Sequence, residues 1–229
     1  MKKEDIEKLL SSKIKKSQIY LNSLTHRSAS NKNNERLEFF GDAILGFFIA
    51  EYLYERFPDD DEGTLSRKRS YIVKKETLSK VAARYDIGSK IILGGGEKKS
   101  GGHRRDSIIS DAVEALIAVV YIVEGPDLAR IFIYKIFDDI LNSMPSDENL
   151  KDPKTKLQEL LQANNFELPN YETEEIQNKN NITFKTICTI KKFNVSESGS
   201  GSNKRKSQQE AALKAYNKIR KIYDNKDDE

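Results

Sequence analysis

Along the first two thirds of the chain, apolar residues recur at the spacing of helices. From Glu35 to Phe57, Leu37, Phe40, Ile44, Phe47, Phe48 and Leu53 follow one another mostly three or four apart, which predicts a long buried helix. Pro58 and the acidic run Asp59 to Glu62 stop it. A second helix is predicted over Leu65 to Tyr85, with Val73, Leu78, Val81 and Ala82 on its packed side and Gly88 beyond its end. The segment Gly94 to Gly102, with five glycines, reads as a mobile loop. A third helix runs from Asp106 or Ser107 to about Val123, where Gly125 and Pro126 end it, and a fourth from an Asp127 N-cap to about Asn142.

The pattern then changes. Ser143 to Pro153 holds two prolines among polar residues and reads as an exposed linker. Beyond it the sequence predicts a helix from Pro153 to about Asn164, strands near 170–177, 182–191 and 193–198, and a closing helix from about Lys204 to Tyr223. The middle strand, ITFKTICTI, alternates β-branched and aromatic residues with polar ones at period two. The expected architecture is mainly α: an all-helical domain over 1–146, a linker over 147–151, a small α+β unit of order α-β-β-β-α over 152–223, and an acidic tail over 224–229.

Composition narrows the classes. A chain of 229 residues suits two ordinary domains, and 37% apolar with 33% charged residues describes a globular protein with a charged surface. The net charge of +3 does not by itself select a nucleic-acid partner. From residue 151 onward, however, fifteen Lys and Arg face twelve Asp and Glu, so the excess sits in the second unit and leaves the first near neutral. Cys188 is the sole cysteine, which excludes an intrachain disulfide and a cysteine zinc site and leaves it a packing residue of a strand. The N-terminus MKKEDIEKLL lacks a secretory pattern, and the longest apolar stretch, Ala43 to Tyr54, is interrupted by Glu51 and too short to span a bilayer. A cytoplasmic location and no membrane partner are expected.

Candidate chemistry lies in carboxylates. Glu35, Glu38 and Asp42, three and four apart, share one face of the first helix. Asp111 and Glu114 repeat the spacing among Ala112, Val113, Ala115 and Leu116 on a helix expected to be buried. Converging carboxylates in apolar surroundings are costly unless a cation neutralises them, and magnesium takes such oxygen ligands. Ordinary helix-surface acids would show the same spacing, so the residues alone leave both readings open. Gly41, costly within a helix by roughly 0.5–1 kcal/mol relative to alanine, points to the close approach of something there.

The segment NERLEFFGD (34–42) resembles the signature of the ribonuclease III family. The resemblance continues through LTHRS (24–28), DEGTLSRKRS (61–70), GEKKSGGHRRDSI (96–108) and SDAVEALIA (110–118), in that order. It implies an all-helical endonuclease domain hydrolysing double-stranded RNA, with Glu38, Asp42, Asp111 and Glu114 as catalytic and metal-binding carboxylates. Glu35 and Glu62 match acidic positions on the substrate side of the cleavage groove. Two Mg2+ ions, with Mn2+ as a substitute and no small-molecule cofactor, would give 5′-phosphate and 3′-hydroxyl ends. The resemblance also implies a homodimer through the catalytic domain and a role in processing rRNA precursors and mRNA. The apolar face with Phe39, Phe40 and Phe47 is either part of that dimer contact or core within one subunit. Phe40 stands where leucine is more usual. For His26 a structural hydrogen-bonding role is expected, and for His103 a solvated one.

Residues 151–222 resemble the double-stranded RNA-binding domain in two contact regions. In KDPKTKLQELLQ (151–162), Thr155, Gln158 and Glu159 would face the RNA minor groove and its 2′-hydroxyls. In GSGSNKRKSQQEAALKA (199–215), Lys204, Arg205 and Lys206 lie at a helix start after two glycines, suited to phosphate. The loop Lys179, Asn180 and Asn181 carries Asn180 as a further contact, where many relatives have histidine, and Gln208 stands where lysine is common. Arg67, Lys68, Arg69, Arg104 and Arg105 serve equally as backbone contacts or as solvated surface. Two other readings remain: a noncatalytic duplex-RNA-binding protein on the same fold, which would lack one or more of the four acids, and an all-helical metal-dependent enzyme on nucleotides, which has no use for residues 151–222.

Overall fold

The structure, a computed structural model, describes residues 4–178 and 181–224. The chain divides after Pro145 into two compact units. Asn180 and the last residues of the acidic tail, 225–229, lie outside the described residues. The architecture is mainly α, with a helical first unit and a second of three strands between two helices.

In the first unit α1 spans Glu35–Arg56, with Glu35 and Glu38 in its first turn, where the helix dipole favours acids. After it, α2 (Glu62–Val73) begins on Asp61, whose carboxylate accepts the Thr64 N–H at 2.7 Å. The expected single helix over 65–85 is two: α2 ends at Lys74, which is extended with ψ 152°, and α3 runs from Lys75 to Arg84. Thr77 pins the break by donating its hydroxyl to the Tyr71 carbonyl at 2.7 Å. The gain is burial. Ile72 and Leu78, six residues apart, would sit about 120° apart round a continuous helix, yet both are completely enclosed.

The glycine-rich segment is also more structured than its composition suggests, with a helical turn at Gly95–Lys99 and a 3-10 turn at Gly102–Arg104. Close packing accounts for two of its glycines: a Cβ on Gly94 would lie 2.2 Å from the Ser28 carbonyl oxygen, and one on Gly102 2.7 Å from Glu97 Cγ. Helix α4 (Asp106–Glu124) is the axis of this unit, buried at Ala112, Val113 and continuously from Ala115 to Val120. Gly125, at φ 87°, turns the chain into α5 (Pro126–Ile136). Pro126 at the first helical position sets that start one residue before the expected cap, and Asp127 instead hydrogen-bonds Arg130 at 2.6 Å. At Phe137, fully buried, the helix ends, and a short turn Asp138–Asn142 follows.

In the second unit α6 (Pro153–Ala163) starts on Asp152, which accepts the Thr155 N–H at 3.0 Å. Strands β1 (Asn170–Asn178), β2 (Asn181–Ile190) and β3 (Val195–Gly201) form an antiparallel sheet in that order, with Thr173 opposite Thr186 and Thr186 opposite Gly199. Helix α7 (Lys204–Asp224) closes the unit. Leu157, Leu161, Cys188, Ile190, Val195, Ala211, Ala212, Ala215 and Ile219 form its core. The third strand lies later than the 193–198 expected, because Lys191–Phe193 is a turn ended by Asn194 at φ 49°. It runs through glycines that sequence patterns treat as breakers. They are required by packing: a Cβ on Gly199 would meet the Ala211 nitrogen at 2.3 Å.

Candidate functional site

The carboxylates meet where α1 crosses α4. Gly41 sits at the crossing, and a Cβ there would come within 1.8 Å of the Glu114 carbonyl oxygen. No side chain fits, so the glycine the sequence marked as a point of close approach is where the two backbones touch. Glu38 and Asp42, flanking Gly41 on α1, thereby face Asp111 and Glu114 on α4. Ligand oxygens of Glu38, Asp111 and Glu114 lie within 4.8 Å of one another, all three residues half-buried. Asp42 is exposed and outside that trio, yet its charge is the strongest among those acting on Glu114.

The electrostatics follow from this geometry. Burial first, and then the charges of Asp42, Asp111 and Glu38, push the Glu114 carboxyl up to about 8. Burial and Asp111 raise Glu38 in the same way. Such a cluster is repulsive when ionised. A donor set made only of carboxylate oxygens, half-buried and mutually destabilised, fits a hard divalent cation. No comparable arrangement of His, Cys, Asp and Glu occurs elsewhere among the described residues.

A cleft of about 480 Å³ adjoins the cluster, lined among others by Arg27, Ser28, Glu35, Glu38, Arg105 and Asp111. Glu35 is exposed in it, 3.4 Å from Arg27. Glu62, in the first turn of α2, accepts a hydrogen bond from Ser66 at 2.9 Å and is not among the residues lining this cleft. His26 is engaged locally: its Nδ1 lies 2.8 Å from Ser28 Oγ and accepts the Ser28 N–H at 3.2 Å. His103 is exposed.

Of the basic residues offered as backbone contacts, Lys68 is withdrawn. It is buried, ion-paired with Asp60, and its Nζ lies 3.5 Å from the centre of the Phe57 ring. Arg105 pairs with Glu97 at 2.8 Å. Arg69 and Arg104 are exposed.

On the second unit, Thr155 and Gln158 are half-buried on α6, while Glu159 is exposed and binds Lys151 at 2.6 Å. Lys204, Arg205 and Lys206 are all exposed in the first turn of α7. Asn203 caps that turn by accepting the Lys206 N–H at 2.9 Å. Two lysines escaped the sequence reading. Lys154 reaches from α6 to α7, donating to Gln208 Oε1 at 2.9 Å, so it brings a cation beside the position that departs from the lysine common in the resemblance. Lys75 lies 3.8 Å from Asp111 Oδ1, a placement that depends on the unforeseen helix break at Lys74.

Comparison with known proteins agrees with this division. Residues 16–140 match the family described as Ribonuclease-III-like, and residues 153–219 match the double-stranded RNA binding motif. The ribonuclease 3 of Histophilus somni is 43% identical over 221 residues, covering 96% of this chain and 99% of its own. That of Glaesserella parasuis is 50% identical over 192 residues, 83% of this chain and 86% of its own. Among solved structures, a nuclease domain of ribonuclease III from Campylobacter jejuni, described for flexibility in a region involved in dimer formation, superposes with a TM-score of 0.55 at 35% identity. It covers 59% of this chain and 97% of its own.

Proposed function

The chain belongs to the ribonuclease III family, and from that premise we propose that it cuts both strands of duplex RNA at the α1–α4 crossing by divalent-metal catalysis. One observation carries the reading: Gly41 lets two helices touch at the point where Glu38, Asp111 and Glu114 converge, with Asp42 beside them. Glu38, Asp42, Asp111 and Glu114 would hold the ions, magnesium by preference and manganese as a substitute. Two such ions, when bound, supply water activation and stabilisation of the leaving 3′ oxygen in an in-line attack on phosphorus, leaving 5′-phosphate and 3′-hydroxyl ends. Glu35 and Glu62 are assigned to the substrate side of the groove, with Arg27 holding Glu35.

Residues 1–146 act as the catalytic domain, 147–151 as the linker and 152–223 as the RNA clamp. In the clamp, Thr155, Gln158 and Glu159 address the minor groove, and Lys204, Arg205 and Lys206 address phosphates. Such a clamp reads A-form shape more than sequence, which suits ribosomal precursors and messengers processed in the cytoplasm. Phe39 and Phe47, 80% and 63% exposed on α1, support pairing of two catalytic domains. Two aromatic rings this exposed on one helix suit a covering surface, and the Campylobacter nuclease domain has a region described as involved in dimer formation. Among the described residues no helix is long and apolar enough to cross a membrane.

The test is cleavage of a long RNA duplex in magnesium and in EDTA. Cutting is expected only with the metal. Glu114→Ala should keep duplex binding while cleavage falls by roughly 10³ or more. An alanine variant that cuts as fast as the parent chain would overturn the site.

A further inference from the structure

Among the described residues, one cation is ion-paired with any of the four carboxylates: Lys75, whose Nζ lies 3.8 Å from Asp111 Oδ1. Its place is fixed by the chain. Lys74 is extended, its carbonyl accepts the Thr77 and Leu78 amides at 2.9 and 3.1 Å, and Lys75 becomes the first residue of α3, which packs along α4. A helix N-terminus disfavours positive charge, yet Lys74 and Lys75 both stand there. For Lys75 the compensation lies across the groove, in Asp111 and the acids around it. Its charge also bears on Glu38 and Glu114, opposing their rise. The side chain is 64% exposed on a flexible stem, so its ammonium has room to move out of the cluster.

We infer that Lys75 is a built-in counter-ion which competes with the divalent cation for the carboxylate cluster, so that metal binding must displace its ammonium. This rests on the reading of the cluster as a metal site. A divalent ion entering among the carboxylates meets a like charge a few ångströms away, and the repulsion raises the metal concentration needed for occupancy. In the metal-free chain the same ammonium relieves part of the repulsion among the acids. Lys75 thus sets the metal affinity of this chain without being a ligand.

The experiment is a calorimetric titration of the full chain with Mn2+, free of RNA and at low ionic strength. Lys75→Met keeps the stem and removes the charge. Lys75→Arg keeps the charge, and Lys80→Met removes an equal charge from an exposed position further along α3. The Kd for Mn2+ should fall about three- to tenfold in Lys75→Met and stay within about twofold in the other two, with the gap narrowing at about 0.5 M potassium chloride. A Kd unchanged or weakened in Lys75→Met overturns the inference and leaves the metal site standing. An equal gain in Lys80→Met also overturns it, because net charge alone then explains the effect. Absence of saturable binding in both the parent chain and Lys75→Met overturns the metal-site reading and the inference together.

Discussion

Two charge clusters in the helical unit are built from the same materials and end in opposite states. At one, Arg84 at the end of α3 gathers Glu4 at 3.0 Å, Asp138 at 2.6 Å and Asp139 at 2.7 Å, with its own side chain only 14% exposed. Burial is the largest single influence and acts to raise Asp138, but the hydrogen bonds from Arg84 and the Asp139 N–H, with the charges of Arg84 and Lys135, together outweigh it and hold the carboxyl below its ordinary range. At the other, four carboxylates face one another across the α1–α4 crossing with a single, mostly exposed lysine for company, and Glu38 and Glu114 are pushed up. The first cluster is complete within the chain and ties the N-terminal segment and the turn after α5 to α3. The second lacks such compensation within the chain, and under the proposed function a divalent ion would supply it. Acids whose partners are all internal are the pattern of a structural ion pair, whereas acids held together against their own repulsion are the pattern on which the proposed metal site rests.

The most severe way to break the contrast is Gly41→Ala. The added methyl would overlap the Glu114 backbone, and a clash with backbone cannot be relieved by a rotamer change. We expect about 3 kcal/mol or more of lost stability in denaturant titration, above the usual cost of overpacking, together with loss of metal binding. A variant of parental stability would show that α1 and α4 do not depend on backbone contact at Gly41. The contrast is sharpened by neutralising one member of each cluster in metal-free buffer. Arg84→Ala should cost about 2 kcal/mol, since three carboxylates lose a charged donor. Glu114→Gln should be neutral or stabilising above neutral pH, because it removes a repelling charge while keeping the shape. Destabilisation by both, to a similar extent, would mean that the carboxylate cluster is also internally satisfied.

What the sequence made legible depended on how local the cause was. The long helix α1 and the alternation of β2 rest on periodicity and were visible. Spacing and apolar neighbours also single out Glu38, Asp111 and Glu114 as candidates, because both derive from the helix that carries them, but they leave helix-surface acids equally open, and only the resemblance to the ribonuclease III family makes them expected metal ligands. The split between α2 and α3 was not visible, since Lys74 and Lys75 carry no breaker and the cause is a long-range demand to bury Ile72 and Leu78 together. Gly94, Gly102, Gly199 and Gly201 read as loop or strand-end signals but answer to packing partners in other elements, Ser28 for Gly94, Glu97 for Gly102, Ala211 for Gly199 and Ser207 for Gly201. Lys68 looked like one more surface cation until Asp60 and the Phe57 ring enclosed it. The position of Lys75 beside Asp111 inherits the invisibility of the break that put it there.

The two clusters should also differ in the sign of their pH dependence. Glu114, raised from an ordinary value near 4.5 to about 8, keeps a proton in the folded metal-free chain through a window in which the unfolded chain has lost it. Stability therefore falls with rising pH across that window, because the native state binds more protons than the unfolded one. Asp138 is held low, so its contribution is fully present above its unfolded pKa and is lost as pH falls through its folded one. A divalent ion must displace the proton of Glu114, so its affinity should rise by at most about tenfold per pH unit up to about 8 and flatten beyond. The difference in melting temperature between magnesium and EDTA should widen over the same interval, and in Glu114→Gln it should lose this slope. A metal-induced shift that is flat from mildly acidic to mildly alkaline pH would mean that Glu114 is already ionised in the metal-free protein, and the electrostatic contrast between the two clusters would collapse.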